Sequence, residues 1–173
     1  MGMQNDMIAW NSKTKQTDTD KLVNDINQNI QWALDNDWMV VYCQELYHSK
    51  QHQFQCESTP SYCVLESWGS KFNARLYLPQ MTNVHFAKAF MCLIGLDTEY
   101  LSNNAFYHYK ASELNKEESG LRRLLESNQC KQLYICGLDM YDNNSMQNTH
   151  TTAKEYGFQS FLWDSHQSLK DSC

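Results

Sequence analysis

Leu133-Tyr134-Ile135-Cys136-Gly137, with Ser145 to Tyr156, Gly157 and Phe158 to Trp163 behind it, is the stretch that decides the fold. Four β-prone apolar residues in a row read as a strand buried on both faces, because a strand with one wet face alternates apolar and polar residues. Gly137 ends that strand with a residue that tolerates a tight turn. Ser145 to Tyr156 reads as a helix with Gly157 as its C-cap, and Phe158 to Trp163 reads as a second strand. A strand, a crossover helix and another strand form a βαβ unit, whose two strands run parallel.

The same alternation appears upstream. From Thr17 to Asn36, residues Leu22, Ile26, Ile30, Ala33 and Leu34 recur at helical spacing, and Asp18 or Thr19 is placed to cap the helix. Trp38 to Cys43 is a continuous β-prone run, and Val84-His85-Phe86-Ala87 is a shorter one. Glu117 to Ser127 carries Leu121, Leu124 and Leu125 after a capping region at Ser112 and Asn115, and reads as a further helix. The polar stretch 45–80 holds both prolines and reads as a long covering or functional loop. The expected fold is α/β: one three-layer domain over 1–173, with a mainly parallel sheet and helices on both faces.

Composition narrows the function. A chain of 173 residues buries a core without disulfide or metal staples. With 42% hydrophobic and 13% aromatic residues it is not a disordered chain. Its 14 basic residues against 20 acidic ones give a net charge of −6, which is no footprint for nucleic acid or for an anionic membrane surface. No apolar run approaches the ~18 residues of a membrane span. Gln4-Asn5-Asp6 follows Met1 too soon for a signal peptide, and Asp6 stands where a myristoylation motif needs Ser or Thr. The 7 cysteines include no C-x-x-C pair, so the expectation is reduced thiols in a cytoplasmic protein, with Cys43 and Cys136 as core packing.

In a parallel α/β sheet, chemistry gathers at the carboxyl ends of the strands. Three stretches fall there: Gln44 to His52, Lys88, and Gly137 to Ser145. Glu45, His48 and His52 would share one face if helical, and oxygen with imidazole donors suits zinc or a similar ion. The competing reading is solvated surface histidines. Ser145 is either an ordinary N-cap or a nucleophile at a helix N-terminus, where backbone N–H groups stabilise an oxyanion. Trp68 is either a pocket wall or a core aromatic.

Several stretches also resemble one family. Met3-Gln4-Asn5-Asp6 resembles the D-x-Q-x-D opening of nicotinamidases and isochorismatase-like cysteine hydrolases. Val40 to Glu45 with His48 and His52 resembles their strand and D-W-H-x-x-x-H segment. Cys63-Val64 with Ser67-Trp68-Gly69 is similar to H-C-V-x-G-T-x-G. Leu101 to Phe106 and Ser119-Gly120-Leu121 match two further segments, and Tyr134 to Leu138 with Thr149, Ala153, Glu155, Gly157 and Phe158 matches the V-C-G-L region and final helix. The resemblance implies a hydrolase of small amides such as nicotinamide, using Cys, Asp and Lys with a divalent metal such as zinc or iron, often as an oligomer.

Carried over position by position, the resemblance is uneven. Lys88 falls at the family lysine. Gly2 falls at the catalytic aspartate and Ser145 at the nucleophilic cysteine. Glu45 replaces the first metal ligand, Tyr47 takes the place of a histidine with His48 one residue late, and Tyr62 replaces the third ligand. Trp68 matches the loop aromatic of the substrate pocket, and Met7 replaces its phenylalanine. The family's first strand would precede Met1, so residues 1–6 are expected as an extended stub at the carboxyl edge of the sheet. Two functions follow: a divergent amide hydrolase using Lys88 and Ser145, or a catalytically inactive relative kept for binding or left by truncation.

Overall fold

The computed structural model describes residues 1–14, 18–47, 61–91, 105–110, 115–138 and 144–163. Helices α1 (Asn5–Thr14) and α2 (Thr19–Asp35) precede strands β1 (Val40–Tyr47), β2 (Val84–Met91), β3 (Tyr107–Lys110) and β4 (Asn115–Glu118). Helix α3 (Leu121–Ser127), strand β5 (Gln132–Ile135), helix α4 (Ser145–Glu155) and strand β6 (Gln159–Leu162) follow. The expected α/β class holds. β1 pairs parallel with β2, β2 with β3 and β5 with β6, while β3 and β4 are antiparallel. The described strands form two sheets, β1-β2-β3-β4 and β5-β6. No helix among the described residues is long and apolar enough to cross a membrane.

Local chemistry explains most boundaries. Asp18 caps α2, its Oδ1 accepting from the N–H groups of Asp20 and Lys21 at 3.1 Å each, which satisfies two of the helix's orphan donors. Leu22, Val23, Ile26, Ile30 and Leu34 then form one buried face on Met3, Ile8, Tyr42 and Leu76. On the other side of β1, Val41 and Cys43 pack with Leu121, Leu125, Leu133, Ala153 and Phe158. Alternate residues of β1 therefore face α2 and the α3–α4 side, which is the three-layer arrangement the apolar run at 38–43 implies.

Four boundaries differ from the sequence expectation. β1 continues to Tyr47 because Tyr47 N–H donates to Cys63 O (3.1 Å) and Tyr47 O accepts from Leu65 N–H (2.8 Å). β2 continues to Met91, so Lys88 lies inside a strand, in register with Gln44, and not in a loop after it. Glu117 and Glu118 belong to β4, and the helix expected from Glu117 starts at Leu121. Ser119 N–H donates to Phe106 O at 2.8 Å, which holds that turn extended. At the N-terminus only residues 1–4 are extended. From Asn5 the chain is helical, with Asp6 at the positive end of α1 and Lys13 at the negative end.

That short extended segment joins the two sheets. Met1 N–H donates to Cys136 O, and Leu138 N–H donates to Met1 O at 3.2 Å. Met1 packs on the α3–α4 side, whereas Met3 packs on the α2 side. Residues two apart in a strand share a face, so something must turn the chain between them. Gly2 does so at φ 64°, a left-handed conformation that a side chain disfavours.

Gln4 then does the work of a strand residue with its side chain. Its Nε2 donates to Glu45 O (2.7 Å) and Ser70 O (2.8 Å), and its Oε1 accepts from Glu45 N–H (2.8 Å). The residue is fully buried, so these bonds have no water to replace them. Gln4→Leu keeps the volume but strips the Glu45 backbone of this partner. It should cost about 3 kcal/mol, read as a lower urea midpoint with an unchanged slope.

Candidate functional site

The carboxyl end of β1 and the loop 61–70 bring Glu45, Tyr47 and Tyr62 together. At position 2, where the resemblance calls for a catalytic aspartate, there is no room for any side chain. A Cβ on Gly2 would sit 1.9 Å from Leu138 O and 2.9 Å from Met7 Sδ. Asp6, the nearest described carboxylate in sequence, is already committed. Its Oδ2 accepts from Cys63 N–H at 2.8 Å and its own N–H donates to Gly69 O at 3.1 Å. This pins a loop in which Cys63 and Glu66 adopt φ 46° and 66°. Asp6 is thus a structural clamp on the loop.

Behind the clamp lies a buried chain of hydroxyls. Tyr47 OH donates to Glu45 Oε2 at 2.9 Å, and Tyr62 OH donates to Tyr47 OH at 3.4 Å. The two rings meet edge to face with centroids 4.9 Å apart. Burial, reinforced by the Glu45 carboxylate, holds the Tyr47 phenol well above its ordinary range, so it stays protonated and donates. Burial likewise pushes the Cys63 thiol up, and Glu45 and Asp6 push the same way. The Cys43 thiol is also pushed up, by burial first. Nucleophilic cysteines are thiolates, and neither of these is.

The predicted metal set is not assembled as a helical face. Glu45 lies in β1, where i and i+3 point to different sides, while His48 and His52 fall outside the described residues. No group of three His, Cys, Asp or Glu with metal-holding geometry occurs among the described residues. Tyr47 and Tyr62 stand at the two positions where the resemblance calls for histidine; the Tyr47 phenol donates to Glu45 Oε2 and the Tyr62 phenol to Tyr47. Neutral phenols are not zinc donors, so the described residues beside Glu45 do not make a three-ligand set.

The remaining predicted residues are dispersed. Lys88 sits in β2 beside Gln44, one register position from the Ala89–Glu45 pair. Ser145 is fully buried as the first residue of α4, and Asn144, at φ 47° with no side-chain cap bond, takes the N-cap position instead. The N-cap reading of Ser145 is therefore corrected by one residue. Met7 is fully buried under Gly2, and Trp68 is 65% exposed. Trp68 contributes its carbonyl, which accepts from Asn5 Nδ2 at 2.9 Å. Gln4, Asp6 and Tyr47 are the site residues whose roles the sequence did not disclose. Their only advance signal was polar or phenolic chemistry beside apolar strand ends.

His150 meets Ser160, Nδ1 to Oγ at 3.0 Å. Burial, followed by Lys154 one helical turn on, lowers its pKa below the usual 6.5. The folded state thus prefers neutral His150, and its contribution to stability, present above pH ~6.5, is lost as the pH falls below that value. Melting temperature should drop between pH 7 and 5, and His150→Gln should flatten that slope.

No protein-family profile and no curated protein matches the chain. Solved structures do. The yeast nicotinamidase bound to the inhibitor nicotinaldehyde is 18% identical, with a TM-score of 0.66 over 92% of this chain and 82% of that one. The nicotinamidase of Bacillus subtilis is 16% identical, with a TM-score of 0.63 over 96% and 82%. The pyrazinamidase of Pyrococcus horikoshii in complex with zinc is 19% identical, with a TM-score of 0.62 over 86% and 73%. The fold is that of the nicotinamidases and isochorismatase-like hydrolases.

The phenol pair makes a direct metal test possible. Wild-type protein dialysed against zinc should retain well under one equivalent. Tyr47→His with Tyr62→His would offer Glu45 and two imidazoles, the three-ligand set of an open zinc site, and should retain about one equivalent by metal analysis.

Proposed function

We propose that this chain is a divergent member of the nicotinamidase and isochorismatase-like hydrolases, acting on a small neutral amide such as nicotinamide. The observation that carries the reading is the fold, matched by nicotinamidases over as much as 96% of the chain. In this reading the Ser145 oxygen, at the start of α4, attacks the amide carbonyl. Its proton passes through water to the leaving nitrogen, and ammonia departs. A second water cleaves the acyl–serine ester to the carboxylic acid, and Lys88 supports the charge that develops. Backbone N–H groups at the start of α4 supply further donors. Trp68 and Met7 are the pocket residues of the proposal. No step of this reading passes through a metal. A serine hydroxyl needs a base, and the closed backbone at Gly2 offers none, which forfeits roughly 10²–10⁴-fold in rate.

That same observation favours a second reading, in which the chain keeps the scaffold without the hydrolysis and serves as a binding protein. One assay separates the two. A hydrolase should release ammonia from nicotinamide slowly but above buffer, and Lys88→Ala and Ser145→Ala should each abolish the release. If the wild-type chain releases none over a day at high enzyme concentration, the second reading holds.

A further inference from the structure

Two threonines of α4 bond back to the carbonyl four residues earlier, and they are not equivalent. Thr151 Oγ1 donates to Gln147 O at 3.0 Å on the exposed face of the helix. Thr149 Oγ1 donates to Ser145 O at 2.8 Å, and Thr149 is buried. A threonine bonding back along its own helix uses its hydroxyl hydrogen and keeps its lone pairs. Thr149 turns one of them to a distant part of the chain and accepts from Ala105 N–H at 3.1 Å.

Ala105 is held from its other side as well. Its carbonyl accepts from Ser119 Oγ at 2.6 Å, and Phe106 O accepts from Ser119 N–H at 2.8 Å. Ser119 Oγ in turn accepts from Leu121 N–H at 3.2 Å, at the start of α3. Ala105 and Phe106 are buried with Leu121, Leu125, Ala153 and Phe158, so a peptide group that lost its partner there would stay desolvated. Two hydroxyls thus complete a hydrogen-bonded line from the first residue of α3, through the Ala105 backbone, to the carbonyl of Ser145.

That line ends in the first turn of α4, whose N–H groups are the donors offered to a reacting carbonyl. The turn has no side-chain cap, since Asn144 makes no capping bond. Its sideways position is set instead by Thr149. A valine there would fill the same space and carry neither bond.

We propose that Thr149 is a positioning residue: its hydroxyl fixes the first turn of α4 against the Ala105 backbone, and so holds the Ser145 oxygen and the neighbouring N–H groups in line for attack on the amide. This rests on Ser145 acting as the nucleophile. A tie of this kind aligns the attacking atom without touching the substrate. Its loss therefore falls on kcat and spares KM.

The test measures ammonia release from nicotinamide and residue-resolved hydrogen exchange on wild type and four variants. Thr149→Val should lower kcat by roughly tenfold or more with KM within about twofold, and should speed exchange at Ala105 N–H by a similar factor. Thr149→Ser, which keeps the hydroxyl, should restore both. Thr151→Val removes the matching bond on the exposed face and should change neither. Ser119→Ala loosens the same line from its far end without altering α4, and should lower kcat in the same direction even if Thr149→Val does not fold. Faster Ala105 exchange with an unchanged kcat would make the tie purely structural and would overturn the proposal. Unchanged Ala105 exchange in Thr149→Val, full activity in Ser119→Ala, or a loss that Thr149→Ser does not restore would overturn it too. No release by wild type is a different failure: it removes the hydrolase reading itself, and the positioning role with it.

Discussion

The backbone contact between Met1-Gly2 and Gly137-Leu138 is the constraint on which the rest of the molecule depends. The two sheets of the described residues share no strand and meet through this segment: main chain binds Met1 to the end of β5, and the Gln4 side chain binds the Glu45 backbone of β1. A Cβ on Gly2 would fall 1.9 Å from Leu138 O, and one on Gly137 would fall 1.7 Å from Met1 O. Both glycines also have positive φ, at 64° and 142°. Each glycine therefore does two things that no other residue does without strain: it turns the chain, and it lets another backbone pass at hydrogen-bond distance. The hydrophobic clusters on either side reinforce the joint, since Leu138 belongs to one cluster and Met1 to the other.

This joint and the hydrolytic chemistry make opposite demands on position 2. A general base there needs a side chain, and the joint needs its absence. The same conflict arises around Glu45. A metal site needs lone pairs aimed at an open point, but Tyr47 aims its hydroxyl hydrogen at Glu45 Oε2 and Tyr62 aims its own at Tyr47. In both places hydrogen bonding and packing stand where the resemblance calls for a reactive centre. A buried carboxylate with neutral donors is cheap to keep folded, whereas an unpaired one is not. The loop clamp by Asp6 belongs to the same economy, because its charge is spent on Cys63 N–H in holding a left-handed turn.

Much of the fold was legible because its apolar residues are periodic. The face Leu22, Ile26, Ile30, Leu34 yields α2 directly, and the run 133–136 followed by Gly157 yields the βαβ unit almost to the residue. Helix α1 was not legible, for a definite reason. Its buried positions are Asn5, Met7, Ile8 and Asn11, so half of its inward face is polar and shows no hydrophobic period. Strand β4 reads Asn-Lys-Glu-Glu and lies at the edge of its sheet, where charge suits an open edge better than alternation does. The candidate site was legible in its residue types but not in their roles. Glu45, Tyr47 and Tyr62 stood out as substitutions. Only their geometry shows that the phenols complete a hydrogen-bonded chain, and only the backbone at Gly2 shows that its missing side chain is a requirement.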